Sequence, residues 1–150
     1  MLDYRPAGPT DLERIQALLA ACALPAQDLT HAMLVGFLVA DEGGQIIGCV
    51  GLERIADGAL LRSLAVEPAH RGRGIAARLC DEMEERARAA VIPALYLLTT
   101  TAADYFAARG FERAARDSLP PSVQATAQFR ELCPATAVAM KKGIGPGHWS

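Results

Sequence analysis

The spacing of apolar and polar positions predicts most of the elements. Leu2–Arg5 is a short candidate strand. Thr10-Asp11-Leu12-Glu13 has the form of a capping box, and Leu12, Ile15, Leu19 and Cys22 then recur at helical spacing. Together they predict one amphipathic helix over Thr10–Cys22. Leu24–His31 carries no decisive period and leaves a second short helix open. Phe37–Ala40 and Ile46–Ile55 are apolar runs flanking Asp41-Glu42-Gly43-Gly44, a hairpin signal. Ala56-Asp57-Gly58 marks the next turn and Ala59–Val66 the next strand.

Beyond Val66 the pattern changes to strand, helix, strand. Over Gly74–Ala90, Ile75, Leu79 and Met83 stack on one face, leaving Asp81, Glu84, Glu85, Arg86 and Arg88 for solvent. Ala94–Thr99 follows Pro93 and, through this crossover, is expected to run parallel to Ala59–Val66. Thr101-Ala102-Ala103-Asp104 reads as a second capping box, opening a helix that stops at Gly110. Phe111 onward is extended, Pro120–Arg130 a short helix and Ala135–Lys141 a final strand. The fold class is α/β or α+β with a mixed sheet.

Composition narrows the function classes. The 150 residues are 51% apolar, too many for a disordered chain, and favour one domain over residues 1–142 with a flexible Gly- and Pro-rich tail at 143–150. With 15 basic and 17 acidic side chains there is no electrostatic footprint for nucleic acid. The longest uncharged apolar runs, Ala32–Ala40 and Ala89–Leu98, are short of the ~20 residues a membrane span requires. An early acid and no apolar stretch argue against a signal peptide at the N-terminus. Cys22, Cys49, Cys80 and Cys133 are scattered, without ligand spacing among themselves or with His31, His70 and His148. Reduced thiols, a cytoplasmic location and no bound metal are therefore expected.

The chemistry concentrates in Leu61–Leu79. An apolar strand ends at Pro68, and Arg71-Gly72-Arg73-Gly74 lies at the mouth of a helix. Small residues there let a ligand approach the backbone, and the first amides of the helix lack internal partners. With the positive end of the helix dipole and two arginines, the segment suits a diphosphate. Gly72-x-Gly74-x-x-Ala77 also fits the loose dinucleotide fingerprint, but that reading wants an acid after the next strand, where Thr99-Thr100-Thr101 stands. An ordinary glycine-rich loop is the remaining alternative.

Arg71-x-x-Gly74-x-Ala76, preceded by Leu64-Ala65-Val66-x-Pro68, resembles the acetyl-CoA signature of the GNAT superfamily of N-acetyltransferases. Tyr105-Phe106-Ala107-Ala108-Arg109-Gly110-Phe111 is similar to the second hallmark of that family, a helix ending in Gly-Phe, and the order of elements agrees over residues 1–141. Leu97-Leu98-Thr99-Thr100-Thr101, Tyr105-Phe106, Arg109-Gly110-Phe111 and Leu119-Pro120 are similar to the acetyltransferase domain of bacterial N-acetylglutamate synthases. Phe129-Arg130-x-Leu132-Cys133-Pro134-Ala135-Thr136-Ala137-Val138 looks like small acetyltransferases encoded beside arsenic-resistance genes. A metalloid role for Cys133 has little support, because no three thiols converge in this spacing.

The resemblance implies a GNAT-like fold, with a mostly antiparallel sheet of six to seven strands flanked by helices, and acetyl-CoA as co-substrate. Pantetheine would lie between Ala59–Val66 and Ala94–Thr99. Main-chain amides of Arg71, Gly72, Arg73, Gly74, Ile75 and Ala76 would wrap the pyrophosphate. An N–H among Leu64, Ala65 and Val66 would polarise the thioester carbonyl, with Phe106 also at the cofactor. The acceptor amine must lose a proton before attack, and Glu53 is preferred over Glu67 as base because Glu67 sits at the phosphate end. Many family members protonate the departing thiolate with a Tyr where this chain has Phe106, so Ser63, Thr99, Thr100, water or unassisted release is left for that step.

Arg62, interior to a strand, needs a partner. Either Glu53 pairs with it, or the carboxylate of an amino-acid acceptor does, with Thr100 beside it. The expected activity is direct acetyl transfer to a small amino-acid-like amine. A protein or peptide N-acetyltransferase and a non-catalytic acyl-CoA sensor are the alternatives. The expected partner is a small-molecule amine, with no nucleic acid or membrane and a homodimer left open.

Overall fold

The computed structural model describes residues 2–132 and 136–144, and the side chains of all of these except 131 and 132. Cys133, the start of the strand expected at Ala135 and residues 145–150 of the expected tail lie outside the described residues. Seven strands form one mixed sheet: β1 (Leu2–Pro6), β2 (Phe37–Glu42), β3 (Gln45–Ile55), β4 (Gly58–Val66), β5 (Ala94–Thr99), β6 (Glu112–Ala114) and β7 (Val138–Gly143), in the order β1-β2-β3-β4-β5-β7-β6. The helices are α1 (Leu12–Ala21), α2 (Ile75–Ala89), α3 (Ala103–Ala108) and α4 (Pro121–Gln124), joined by short 3-10 turns. The chain packs as two compact units, one of residues up to Glu53 with Arg62–Arg86, the other of Arg54–Leu61 with residues from Ala87 on.

In the first unit β2 runs antiparallel to β1 and β3, and Gly43-Gly44 makes the tight turn of the hairpin. Ile15, Leu18 and Leu19 of α1 are buried against Leu34, Phe37, Val39, Ile46, Cys49 and Ala65. The capping box at Thr10 is not formed. Asp11 is the N-cap residue, and its carboxylate accepts from Gly8 N–H (2.7 Å) and Arg5 Nη1 (2.8 Å). A buried acid is more stable facing a guanidinium than closing a solvated cap. The open segment at Leu24–His31 is irregular, and a 3-10 helix follows at His31–Gly36.

Helix α2 is seated by a glycine. A Cβ at Gly48 of β3 would lie 3.0 Å from Ile75 Cγ2 and 3.2 Å from Leu79 Cδ1, so the bare backbone lets the first turn of α2 rest on the strand. Ile75, Leu79 and Met83 are buried as the period predicts, but so is Glu84, which was expected on the solvent face. It sits one turn beyond buried Cys80, at the flank of the apolar stripe.

In the second unit β5 pairs parallel to β4 at Ala59↔Leu95 and Leu60↔Tyr96, as the crossover predicted. On its other edge β5 is antiparallel to β7, which pairs with β6. Leu60, Tyr96, Leu119, Val123 and Ala139 form the core here. The helix expected over Pro120–Arg130 divides into α4 and a π turn at Gln128–Leu132. Gly143 still pairs with Ala94, and Ile144 is buried with its N–H on Pro93 O (3.0 Å), so the strand continues past its expected end at Lys141 and packing past the tail boundary expected at 142.

The capping box at Thr101 is also absent. Ala102 is the N-cap of α3, and its N–H instead donates to Thr99 Oγ1 (2.9 Å). The end of α3 follows the sequence signal. Gly110 is left-handed (φ 96°), its N–H bonds to Ala107 O and that of Phe111 to Phe106 O, both at 3.0 Å. Phe111 then meets the Phe106 ring edge-on at 5.5 Å, completing a Schellman motif with its apolar contact.

Candidate active site

Glu67 closes β4 and turns the chain into Pro68–His70, its carboxylate accepting from Ala69 N–H (3.0 Å). Arg71 is extended, Gly72 (φ 84°) and Gly74 (φ 78°) are left-handed, and α2 starts at Ile75. The two left-handed residues, two positions apart, are glycines because a Cβ is costly there. A Cβ at either would meet nothing within 4 Å, so both glycines border open space. Among the described residues the N–H groups of Gly72, Arg73, Gly74, Ile75 and Ala76 donate to no acceptor of the chain; the helix ladder begins with Arg78 N–H on Gly74 O (3.1 Å). This row of donors at a helix N-terminus is complementary to an anion and fits the diphosphate of CoA.

The two arginine side chains of this loop already have partners within the chain. Arg71 folds back, Nε donating to Val66 O (3.2 Å) and Nη2 lying 3.7 Å from Cys22 Sγ. Arg73 is paired with Glu42 at the end of β2, Nη2–Oε2 2.6 Å and Nη1–Oε1 3.2 Å. That ion pair holds the Glu42 carboxyl below its usual range. Neither Glu42 nor Cys22 stood out in the sequence, since an acid in a turn and a lone thiol carry no signal of their own.

A second cluster lies on β3 and β4. Arg62, buried with 1% of its side chain exposed, makes a two-pronged ion pair with Asp28, Nη1–Oδ2 2.5 Å and Nη2–Oδ1 2.7 Å. Its Nη1 also reaches Glu53 Oε1 (3.2 Å), and its Nε donates to Ser63 Oγ (3.0 Å). Burial alone would lower the Arg62 pKa, but hydrogen bonds and charge from Asp28 and then Glu53 outweigh it and hold the value above that of a free arginine. The principal pairing partner is thus Asp28, with Glu53 second. Asp28 was missed because it lies in the one stretch whose period was undecided.

Glu53 is 27% exposed, and its Oε2 has no protein hydrogen bond among the described residues. Ser63, in mid-strand, is left-handed (φ 59°). That conformation in a non-glycine residue stores strain and re-aims the main chain of Leu64, Ala65 and Val66 that follows. Cys49 donates its thiol to Ser63 O (3.2 Å), and burial pushes its pKa up to about 12, so it remains an unreactive thiol.

Glu53, Arg62, Ser63 and the 71–76 loop belong to the first unit, and the geometry brings the first three into one hydrogen-bonded group. Thr99, Thr100 and Phe106 belong to the second. Thr99 accepts from Ala102 N–H, Thr100 is exposed, and Phe106 is buried between Tyr105 (5.4 Å, edge-on) and Phe111.

A family description of the acetyltransferase (GNAT) domain matches residues 34–113, which span β2 to β6 and include the phosphate loop. The chain belongs to the GNAT acetyltransferases. Within the family, the chain is 38% identical over 97 residues to an amino-acid acetyltransferase of Pseudomonas syringae pv. syringae, a match covering 63% of this chain and 22% of that protein. The chain therefore spans about a fifth of the curated relatives it matches. N-acetylglutamate synthase from Neisseria gonorrhoeae, solved with coenzyme A and N-acetyl-glutamate, superimposes with a TM-score of 0.82 at 24% identity, over 96% of this chain and 35% of that one. Rv2747 from Mycobacterium tuberculosis, in complex with CoA and NLQ, gives 0.75 at 22% identity, over 94% and 98%. These two likenesses establish the GNAT fold. Among the described residues no helix is long and apolar enough to cross a membrane.

Proposed function

We propose that this GNAT domain transfers acetyl from acetyl-CoA to the amine of a small amino-acid-like acceptor. The observation that carries the reading is the row of unpartnered N–H groups from Gly72 to Ala76, opened by two left-handed glycines at the start of the 15-residue helix α2. Membership of the family and the amino-acid acetyltransferases among its relatives support the acceptor class.

Bound acetyl-CoA supplies the acetyl group as an activated thioester. The loop amides hold its diphosphate, and the main chain of Leu64–Val66, redirected by Ser63, provides the donor to the acyl oxygen. Glu53 accepts the proton of the acceptor ammonium through its free Oε2, so that the neutral amine forms the new C–N bond as the C–S bond breaks. Arg62, locked by Asp28, keeps Glu53 in place; the acceptor's own carboxylate then needs a different cation. Phe106 offers no hydroxyl, so Ser63, Thr99, Thr100 or solvent protonates the thiolate. The wide, irregular spacing of the four cysteines supports a reducing, cytoplasmic setting.

Thiol release measured with acetyl-CoA and a panel of amino acids and peptides tests the proposal. One amino acid is expected to accelerate release by orders of magnitude, and Gly74→Glu to abolish CoA binding in calorimetry with an unaltered circular dichroism spectrum. Release that no amine accelerates, or a Gly74→Glu variant with unchanged CoA affinity, contradicts it.

A further inference from the structure

Arg73 has two roles at the phosphate loop, and they conflict. Its N–H belongs to the unpartnered row, while its guanidinium is already bound to an anion, Glu42. Glu42 is the last residue of β2, paired across the hairpin with Gln45, so a rigid turn presents its carboxylate. Arg73 comes from the irregular stretch before α2, and its side chain reaches Glu42 from 31 positions along the chain. Both side chains are solvent-accessible, 41% for Arg73 and 31% for Glu42, so the pair can exchange without unpacking a core. His70 completes the group, its Nδ1 lying 2.7 Å from Arg73 Nη1 and 3.8 Å from Glu42 Oε1.

We propose that Glu42 is an internal competitor for the phosphate loop: it holds the Arg73 guanidinium until the diphosphate of CoA displaces it, and so sets how tightly and how selectively the loop takes anions. The inference rests on the phosphate-loop reading above. An anion at the amide row gains Arg73 only by breaking the Glu42 pair, and the released carboxylate stays nearby as a like charge. A small anion gains little from that exchange. A ligand that also fills the amide row can drive it, so Glu42 favours a diphosphate over free phosphate.

The test is a double-mutant cycle on the full chain, with CoA and inorganic pyrophosphate titrated by calorimetry at low salt. Glu42→Gln is expected to tighten CoA about two- to fivefold, the scale of a surface ion pair, and to tighten pyrophosphate at least as much. Arg73→Gln is expected to cost more in the Glu42→Gln background than in the wild type, because only there is the guanidinium uncommitted. Glu42→Ala, which cannot hydrogen-bond, is expected to repeat the gain. Equal costs of Arg73→Gln in both backgrounds, or no gain from either Glu42 variant, overturns the inference while leaving CoA binding intact. A wild-type chain that binds no CoA overturns the phosphate-loop reading and this inference with it.

Discussion

Arg62 and Asp28 face each other through two parallel hydrogen bonds of 2.5 and 2.7 Å, one partner in β4 and the other in the irregular chain after α1. The pair ties a segment with no regular structure of its own to the strand that carries Ser63. Removing Asp28 leaves a buried cation with only the Glu53 carboxylate as counter-charge, beside the Ser63 hydroxyl. Asp28→Ala is therefore expected to cost about 3–5 kcal/mol in urea unfolding. Glu53→Gln, which removes one more exposed contact at 3.2 Å, is expected to cost about 1 kcal/mol. Equal losses would mean that Arg62 is held by the two acids alike.

Glu53→Gln separates stability from turnover. With its fold retained, the variant is expected to lose about 10²-fold or more in kcat, the lower range for a positioned base. Its pH–rate profile moves upward, since the acceptor ammonium must then lose its proton to water. An unaltered profile makes Glu53 a structural partner of Arg62 alone.

Val91 ends α2 in the left-handed region (φ 59°), with Ile92 N–H on Ala87 O and Val91 N–H on Arg88 O, both at 3.0 Å. This is the same capping geometry that Gly110 gives α3, made by a β-branched residue that is 75% exposed. Val91→Gly removes the strain and loses almost no packing. It is expected to stabilise the protein by about 0.5–1 kcal/mol after the extra chain entropy of glycine is counted. A lower melting temperature would show that the valine side chain contributes packing that outweighs its strain.

Asp11 makes stability depend on pH at the acid end. The hydrogen bond from Arg5 lowers its carboxyl below the usual value; burial opposes the shift and Gly8 N–H reinforces it. A group whose folded value is depressed stabilises the fold above its unfolded value, near pH 4, and loses that contribution as pH falls through the folded one. Asp11→Asn is expected to lower stability by about 1–2 kcal/mol at pH 7, with the gap to wild type narrowing as the pH is lowered into the acid range in melts across pH. A gap that does not change with pH would assign the loss to packing.

The conformation of the 71–76 loop and α2 were legible because three local signals agree there: a proline just after the strand, glycines at the two left-handed positions, and an unbroken apolar period from Ile75. Gly110 announced the end of α3 for the same reason. What escaped notice depends on distant partners. Thr10 and Thr101 have the local form of helix caps, yet Asp11 turns to Arg5 and Thr99 takes the amide at Ala102. Ala23 (φ 56°) and Val91 close their helices in a conformation their side chains disfavour. The closing hydrogen bonds of each helix hold it, and no residue type marks it in advance. Asp28 and Glu42 complete the two arginine clusters from turns 34 and 31 positions away along the chain, beyond the reach of any periodicity.

The account stands on main-chain amides as the grip on CoA, and amide NMR reads them individually. Titration of 15N-labelled protein with CoA is expected to shift the resonances of Gly72, Arg73, Gly74, Ile75 and Ala76 more than those of any other segment of the first unit. Saturable CoA binding that leaves these five resonances unmoved would contradict it.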